Sequence, residues 1–98
     1  MKDYTIKTIL SWFTDDDVPQ TFELHTDIGF AESILTSNEF STKLEAIENI
    51  VGTIDTSADE DNQIYEFTLE DLEGPDDVPS MMKAHNLILE TLNSLSIK

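Results

Sequence analysis

The chain has 98 residues, with 21 Asp and Glu against five Lys, no arginine and no cysteine, for a formal net charge of −16 at pH 7. That length fits one domain with a single core, and the missing cysteine excludes disulfides, a thiolate nucleophile and cysteine-ligated zinc. With no guanidinium fork for phosphate, and phosphate neutralisation supplying most nucleic-acid affinity, direct nucleic-acid binding is not expected; the charge favours a basic protein partner.

Trp12, five Phe and many Ile and Leu set the chain apart from a disordered acidic tail. No apolar run approaches a membrane span, and Met1-Lys2-Asp3-Tyr4 lacks the layout of a signal peptide, so a cytoplasmic protein is expected. From Tyr4 to Trp12 the chain is β-branched and aromatic, with Tyr4, Ile6, Leu10 and Trp12 on one parity, which predicts a first strand. Asp15-Asp16-Asp17-Val18-Pro19 ends it, because three like charges and a proline do not continue a sheet interior. Thr21 to Thr26 alternates again with Phe22 and Leu24 inward, and Asp27-Ile28-Gly29 supplies a turn. Residues 30–38 suit either a helix or a strand; the strand is preferred because it closes a hairpin.

Thr42 and Glu45 are spaced as a capping box, and Leu44, Ile47, Val51 and Ile54 follow as a helical stripe. Residues 55–62 read as a loop from that helix into a strand at Gln63 to Leu69, with Tyr65, Phe67 and Leu69 on one face. Glu70 to Val78 reads as loop. Pro79-Ser80 opens a last helix to about Leu95, with Met81, Ala84, Ile88, Leu92 and Leu95 on its apolar side. The tetrapeptide Asp-Asp-Val-Pro occurs at 16–19 and 76–79, but the flanks differ, so it reads as two acidic turn signals rather than a repeat. Together these elements predict one α+β domain over residues 1–98: an antiparallel sheet of about four strands packed by two helices, in the order β-β-β-α-β-α.

Residues 22–51 resemble the repeat unit of the YegP-like small bacterial domains of unknown function. The likeness rests on Ile34, Ser37, Glu39, Phe40, Thr42 and Lys43, which match an I-x-x-S-E-x-Y-x-S-K stretch with the glutamate one place late. Asp27-Ile28-Gly29 stands where that family has an Asn-Gly turn, and Asn49-Ile50 where its helix has Gly-Ile. The resemblance implies a three-stranded antiparallel meander packed by a helix, and no mechanism.

Residues 55–66, Asp55 to Glu66, place oxygens at most positions of a calcium-binding EF-hand loop. Glu60 occupies the position of the required glycine, and a strand follows where a helix should, so no metal or cofactor is expected. His25 and His85 lack metal-ligand spacing, and no G-x-S-x-G elbow or glycine-rich phosphate loop is present; an enzyme is not expected. What remains is charge. Residues 55–77 hold Asp55, Asp59, Glu60, Asp61, Glu66, Glu70, Asp71, Glu73, Asp76 and Asp77 with no lysine, and Asp15, Asp16 and Asp17 add a further cluster. The acids at the two ends of the strand around Tyr65 would lie roughly 23 Å apart at about 3.3 Å per residue, a spacing that could bridge a basic cleft. Trp12, Phe13, Phe30 and Tyr65 are candidate anchors; Phe13 and Phe30, beside loops, are the two expected to be exposed.

The reading favoured by these features is a small acidic inhibitor that occupies the basic nucleic-acid-binding surface of a nucleic-acid-handling enzyme or toxin. An immunity protein to a nuclease toxin and a phage-type DNA mimic against restriction or CRISPR defence fit equally. The alternative is an acidic adaptor or structural domain with no inhibitory role.

Overall fold

The computed structural model describes residues 2–72 and 74–96. Four strands form one sheet in the order β2-β1-β4-β3: β1 (Lys2–Phe13), β2 (Pro19–Phe30), β3 (Ile54–Asp59) and β4 (Ile64–Leu69). Two helices, α1 (Asn38–Val51) and α2 (Val78–Ser96), pack on one face of it. The domain is α+β, with the element order β-β-α-β-β-α.

The sheet is mixed rather than antiparallel. β1 pairs antiparallel with β2 and β3 with β4, but the central pair β1 and β4 is parallel, with Ile6 opposite Tyr65 and Leu10 opposite Leu69. The direction follows from the connections. β2 runs down the sheet, α1 carries the chain back up, β3 runs down at the far edge and β4 returns upward beside β1. A helix joining two strands that point the same way is the usual parallel crossover.

Residues 30–38 are not the third strand. Phe30 ends β2, Glu32–Thr36 forms a short 3-10 turn and α1 starts at Asn38. Ser37 caps α1, its Oγ accepting from Phe40 N at 3.1 Å, so the start lies several residues before Thr42. Asp27-Ile28-Gly29 does not turn; it lies within β2, paired with residues 3 to 5 of β1. The strand that replaces the expected one is β3, in the segment read as loop. Only Ile54 of its six residues is buried, and that is why it shows no apolar alternation.

The core lies between the sheet and the helices. Tyr4, Ile6, Thr8 and Leu10 of β1 and Tyr65, Phe67 and Leu69 of β4 face inward, alternating with half-exposed neighbours. Phe40, Ile47 and Val51 of α1 and Met81, Ala84, Ile88 and Leu92 of α2 close over them. Tyr4, Phe30 and Tyr65 form an aromatic cluster with centroids 4.8 to 6.1 Å apart, and Phe40 meets Phe67 edge-on at 6.3 Å; such pairs each add about 0.5–1.5 kcal/mol beyond burial. Tyr65 Oη donates to Glu32 Oε1 at 3.3 Å. Its phenol is pushed up to about 12 by burial and by the Glu32 charge.

One polar group is built into this core. His85 of α2 is buried, with Nδ1 2.7 Å from Thr8 Oγ1 and Nε2 2.8 Å from Thr26 Oγ1. A neutral imidazole offers one donor and one acceptor, so one hydroxyl accepts from the ring and the other donates to it. The histidine thereby ties α2 to both β1 and β2.

At the upper end of the sheet the chain passes closely over itself. Gly52, after α1, has φ +91°, and a Cβ there would lie 2.6 Å from Asp71 Cβ and Oδ2. Asp71 Oδ2 accepts from Thr53 N at 2.8 Å and Glu48 Oε2 from Ile54 N at 3.1 Å. These two acids hold the entry into β3.

Candidate protein-interaction surface

Because both helices cover one face, the other face of the sheet is open, and the registers say what it carries. Asp3, Thr5, Lys7, Ile9, Ser11 and Phe13 of β1 point to it; Thr21, Glu23, His25 and Asp27 of β2 lie opposite them, Ile64, Glu66 and Thr68 of β4 lie on the other side, and Asp55, Ser57 and Asp59 of β3 follow at the edge. Six carboxylates, Asp3, Glu23, Asp27, Asp55, Asp59 and Glu66, thus share a surface with a single described lysine side chain, Lys7.

Lys7 sits at the centre, its Nζ 3.4 Å from Glu23 Oε1 and 3.6 Å from Glu66 Oε1. His25 Nε2 lies 3.1 Å from the same Glu23 oxygen, and this hydrogen bond, with Lys7 behind it, holds the Glu23 carboxyl below its ordinary range. Half-exposed ion pairs of this kind contribute about 0–1 kcal/mol each. Their main effect here is on charge: the lysine is shared between two carboxylates, so the face stays anionic.

The acidic clusters lie at opposite ends of β4, as its two flanking loops require. At the lower end Asp59, Glu60 and Asp61 form the β3–β4 turn, where Asp59 accepts from Asn62 N (3.3 Å) and Asn62 Nδ2 (2.9 Å), bonds that lower its carboxyl. At the upper end Asp55 and Glu70 share a hydrogen bond that raises the Glu70 carboxyl, since one of two adjacent carboxyls keeps its proton more readily. Asp71 is at this end too, and Asp76 and Asp77 stand in the 3-10 turn Pro75–Asp77 that leads into α2. Glu73 lies outside the described residues. The structure therefore brings Asp55 together with Glu70, and sets Asp59, Glu60 and Asp61 apart from them by the length of β4, roughly 20 Å at about 3.3 Å per residue.

The third cluster stands on an arm. β1 and β2 continue for three residues past the last β4 pairing at Leu10, and so project about 10 Å beyond the rest of the sheet. Their loop is a three-residue hairpin connection: Asp17 N donates to Thr14 O at 2.9 Å, Thr14 N to Val18 O at 3.0 Å, and Asp17 takes φ +61°. Aspartate tolerates that left-handed conformation better than most residues, which is why this acidic triplet can turn without glycine. Asp15, Asp16 and Asp17 are exposed at the tip. Phe13 at 72% and Val18 at 48% exposure give the arm an apolar surface, and Phe22, opposite Leu10 at its base, is 39% exposed.

Of the two anchors expected to be exposed, Phe13 is so, whereas Phe30 is fully buried in the aromatic cluster. The neighbouring loop is the 3-10 turn Glu32–Thr36, whose Glu32 accepts from the core residue Tyr65, so the chain after Phe30 folds over its ring instead of leaving it exposed. Tyr65 is core and Trp12 half-buried. Sequence reasoning missed Asp3, Glu23, Asp27 and Glu66 as one surface with Lys7, although their alternation with Tyr4, Leu24 and Phe67 is a signal that would have found them. The segment from Asp55 to Glu66 is a hairpin in which Asp55, Ser57 and Asp59 project in a row along a strand instead of converging around a loop. Among the described residues no cluster of three or more His, Cys, Asp or Glu side chains is disposed to hold a metal ion, and no helix is long and apolar enough to cross a membrane.

Comparison with protein-family models, with curated proteins and with solved structures gives no match for this chain.

Proposed function

We propose that this domain is an acidic protein-binding inhibitor that occupies the basic nucleic-acid-binding surface of a partner protein. The observation behind the proposal is the open sheet face: six carboxylates on one side of a rigid sheet, with the one described lysine side chain among them held between two glutamates. Rows of acids lie on both edge strands, Glu23 and Asp27 on β2 and Asp55 and Asp59 on β3. Three strand spacings of about 4.8 Å put the rows roughly 14 Å apart, of the order of the ~12 Å major groove between phosphate backbones. A surface shaped to hold two phosphate rows would meet similarly placed charge here. Electrostatic complementarity of this kind speeds association and selects the partner, while Phe13 and Val18 on the arm supply the apolar contacts that prolong it. An immunity protein to a nuclease and a phage-type DNA mimic against a host defence nuclease both use this chemistry.

The proposal is tested by displacement. Labelled DNA is bound to a panel of basic nucleic-acid-binding proteins, nucleases included, and the domain is titrated in while fluorescence anisotropy is followed. Release of DNA by the wild type, and its loss in a Glu23→Gln, Asp55→Asn, Glu66→Gln variant that remains folded, is the expected result. A panel member that binds the domain yet keeps its DNA would instead favour the adaptor role, and equal release by the neutralised variant would remove the open face from the account.

A further inference from the structure

We infer that the outer edge of β2 is a strand-addition site for an extended segment of a basic partner in which Lys or Arg alternates with apolar residues. This inference deepens the proposed function and rests on it for the sign of the partner's charge.

The phase of the β1–β2 ladder decides which backbone groups face outward. Thr14 N donates to Val18 O, and Thr5 N of β1 points away from β2 and donates to Gln63 O beside β4. Counting along the register from the first bond, the even residues of β2 bond β1, and the odd ones turn their N–H and C=O away from it. Pro19, which has no N–H, falls on an outward position, where nothing in the ladder is lost. From Thr21 through Glu23 and His25 to Asp27 the edge then offers a run of donors and acceptors. All four residues are exposed, and no described strand pairs with β2 on the side away from β1. The opposite edge is different. β3 has half the length, six residues against twelve, and short edge strands are a common protection against pairing.

The side chains flanking the β2 edge specify the occupant. On the open face a new strand would lie beside Glu23 and Asp27, and on the helix face beside Phe22 and Leu24, which are 39% exposed and half-buried. Neighbouring strands place facing side chains about 4.5–5.5 Å apart at Cβ, so the acids call for basic residues at every second position and the apolar pair for apolar residues between them. A second copy of this chain is the poorer occupant. In a two-fold antiparallel pairing centred on His25, Glu23 would face Asp27 of the copy, and like charges directly opposite are destabilising; each chain also brings a net charge of −16.

The test uses the intact domain and a blocked peptide of alternating lysine and valine about seven residues long. Two controls accompany it: the same peptide methylated at alternate backbone nitrogens, and an oligolysine of equal charge. Amide hydrogen exchange of Thr21, Glu23, His25 and Asp27 is read by NMR. The alternating peptide should slow these amides about tenfold or more, and neither control should do so. Thr21→Pro, which removes an outward donor without breaking a ladder bond, should weaken peptide binding. Equal protection by the methylated peptide or by oligolysine overturns the inference, as does protection confined to β3 or the absence of any. Sedimentation as a dimer with these amides already protected also overturns it. A failure here leaves DNA displacement by the open face intact, so the two readings are separable.

Discussion

His85 gives a sharp test of how the core is assembled. The ring is buried between Thr8 and Thr26, and burial lowers its pKa, with a smaller contribution from His25 on the opposite side of the sheet. The facing groups on β1 and β2 are two hydroxyls, and among the described residues no carboxylate is hydrogen-bonded to the ring to favour its protonated form. The unfolded chain therefore takes up the proton first as pH falls. Stability is fully present above the unfolded value near 6.5 and is lost on going down through the window between the unfolded and the lower folded value, at up to about 1.4 kcal/mol per pH unit. His85→Gln keeps a donor and an acceptor but cannot titrate. At pH 8 it should cost about 1–2 kcal/mol, the worth of one or two imperfectly replaced neutral hydrogen bonds. Below pH 6.5 the gap between wild type and variant should close, because only the wild type loses stability through this group. Relief of repulsion among the carboxylates acts with the opposite sign, but equally on both proteins, and cancels in the difference. Urea unfolding followed by Trp12 fluorescence and circular dichroism from pH 8 to 5 measures it. Parallel profiles for the two proteins would refute a neutral, buried His85.

Four further substitutions separate structural positions from the proposed surface. Gly52→Ala should destabilise by about 1–3 kcal/mol, the usual range for a strained backbone position, because φ is +91° and the added Cβ meets Asp71 at 2.6 Å; an unchanged urea midpoint would contradict that close approach. Ser37→Ala should cost about 1 kcal/mol through loss of the α1 cap, whereas Thr42→Ala, on the exposed side of the helix, should stay within about 0.5 kcal/mol. Phe13→Ser should leave stability within about 0.5 kcal/mol yet weaken partner binding about tenfold or more, since its ring is 72% exposed; a large fall in melting temperature would mean that the arm is core rather than contact.

The parts of this fold that could be read from the chain are those where one face of an element is buried. Tyr4, Ile6 and Leu10, or Met81, Ala84, Ile88 and Leu92, announce their period because every repeat meets the core. β3 was hidden because, past Ile54, it lies at an edge beyond the helices and all its residues are exposed. The parallel pairing of β1 with β4 was hidden for another reason: it depends on where α1 returns the chain, which no local pattern records. Thr8, Thr26 and His85 are polar residues that carry no signal in the pattern, and only the packing of α2 across β1 and β2 shows that they complete one another. The acidic surface was legible as charge but not as geometry. The clusters at Asp15 to Asp17, Asp59 to Asp61 and Glu70 to Asp71 could be found by composition; the face joining Glu23, Glu66 and Asp55 around Lys7 needed the register.

The acids themselves divide in a way that composition hides. Glu48, Asp59, Asp71 and Asp27 accept hydrogen bonds that hold turns and strand entries, Asp27 from Thr5 Oγ1 at 2.7 Å. Neutralising these would disturb the fold. Glu23 and Glu66 pair with Lys7 and Asp55 with Glu70 on the open face, and they are the residues at which the charge can be changed to test function.

The central claim is that the open sheet face binds a basic partner through its charge, and the salt dependence of affinity tests it most directly. Against a basic protein from which the domain displaces DNA, the dissociation constant is measured from low to high salt for the wild type and for the folded Glu23→Gln, Asp55→Asn, Glu66→Gln variant. The account predicts steep weakening with salt for the wild type and a clearly shallower slope for the variant. Identical slopes for the two proteins would contradict it.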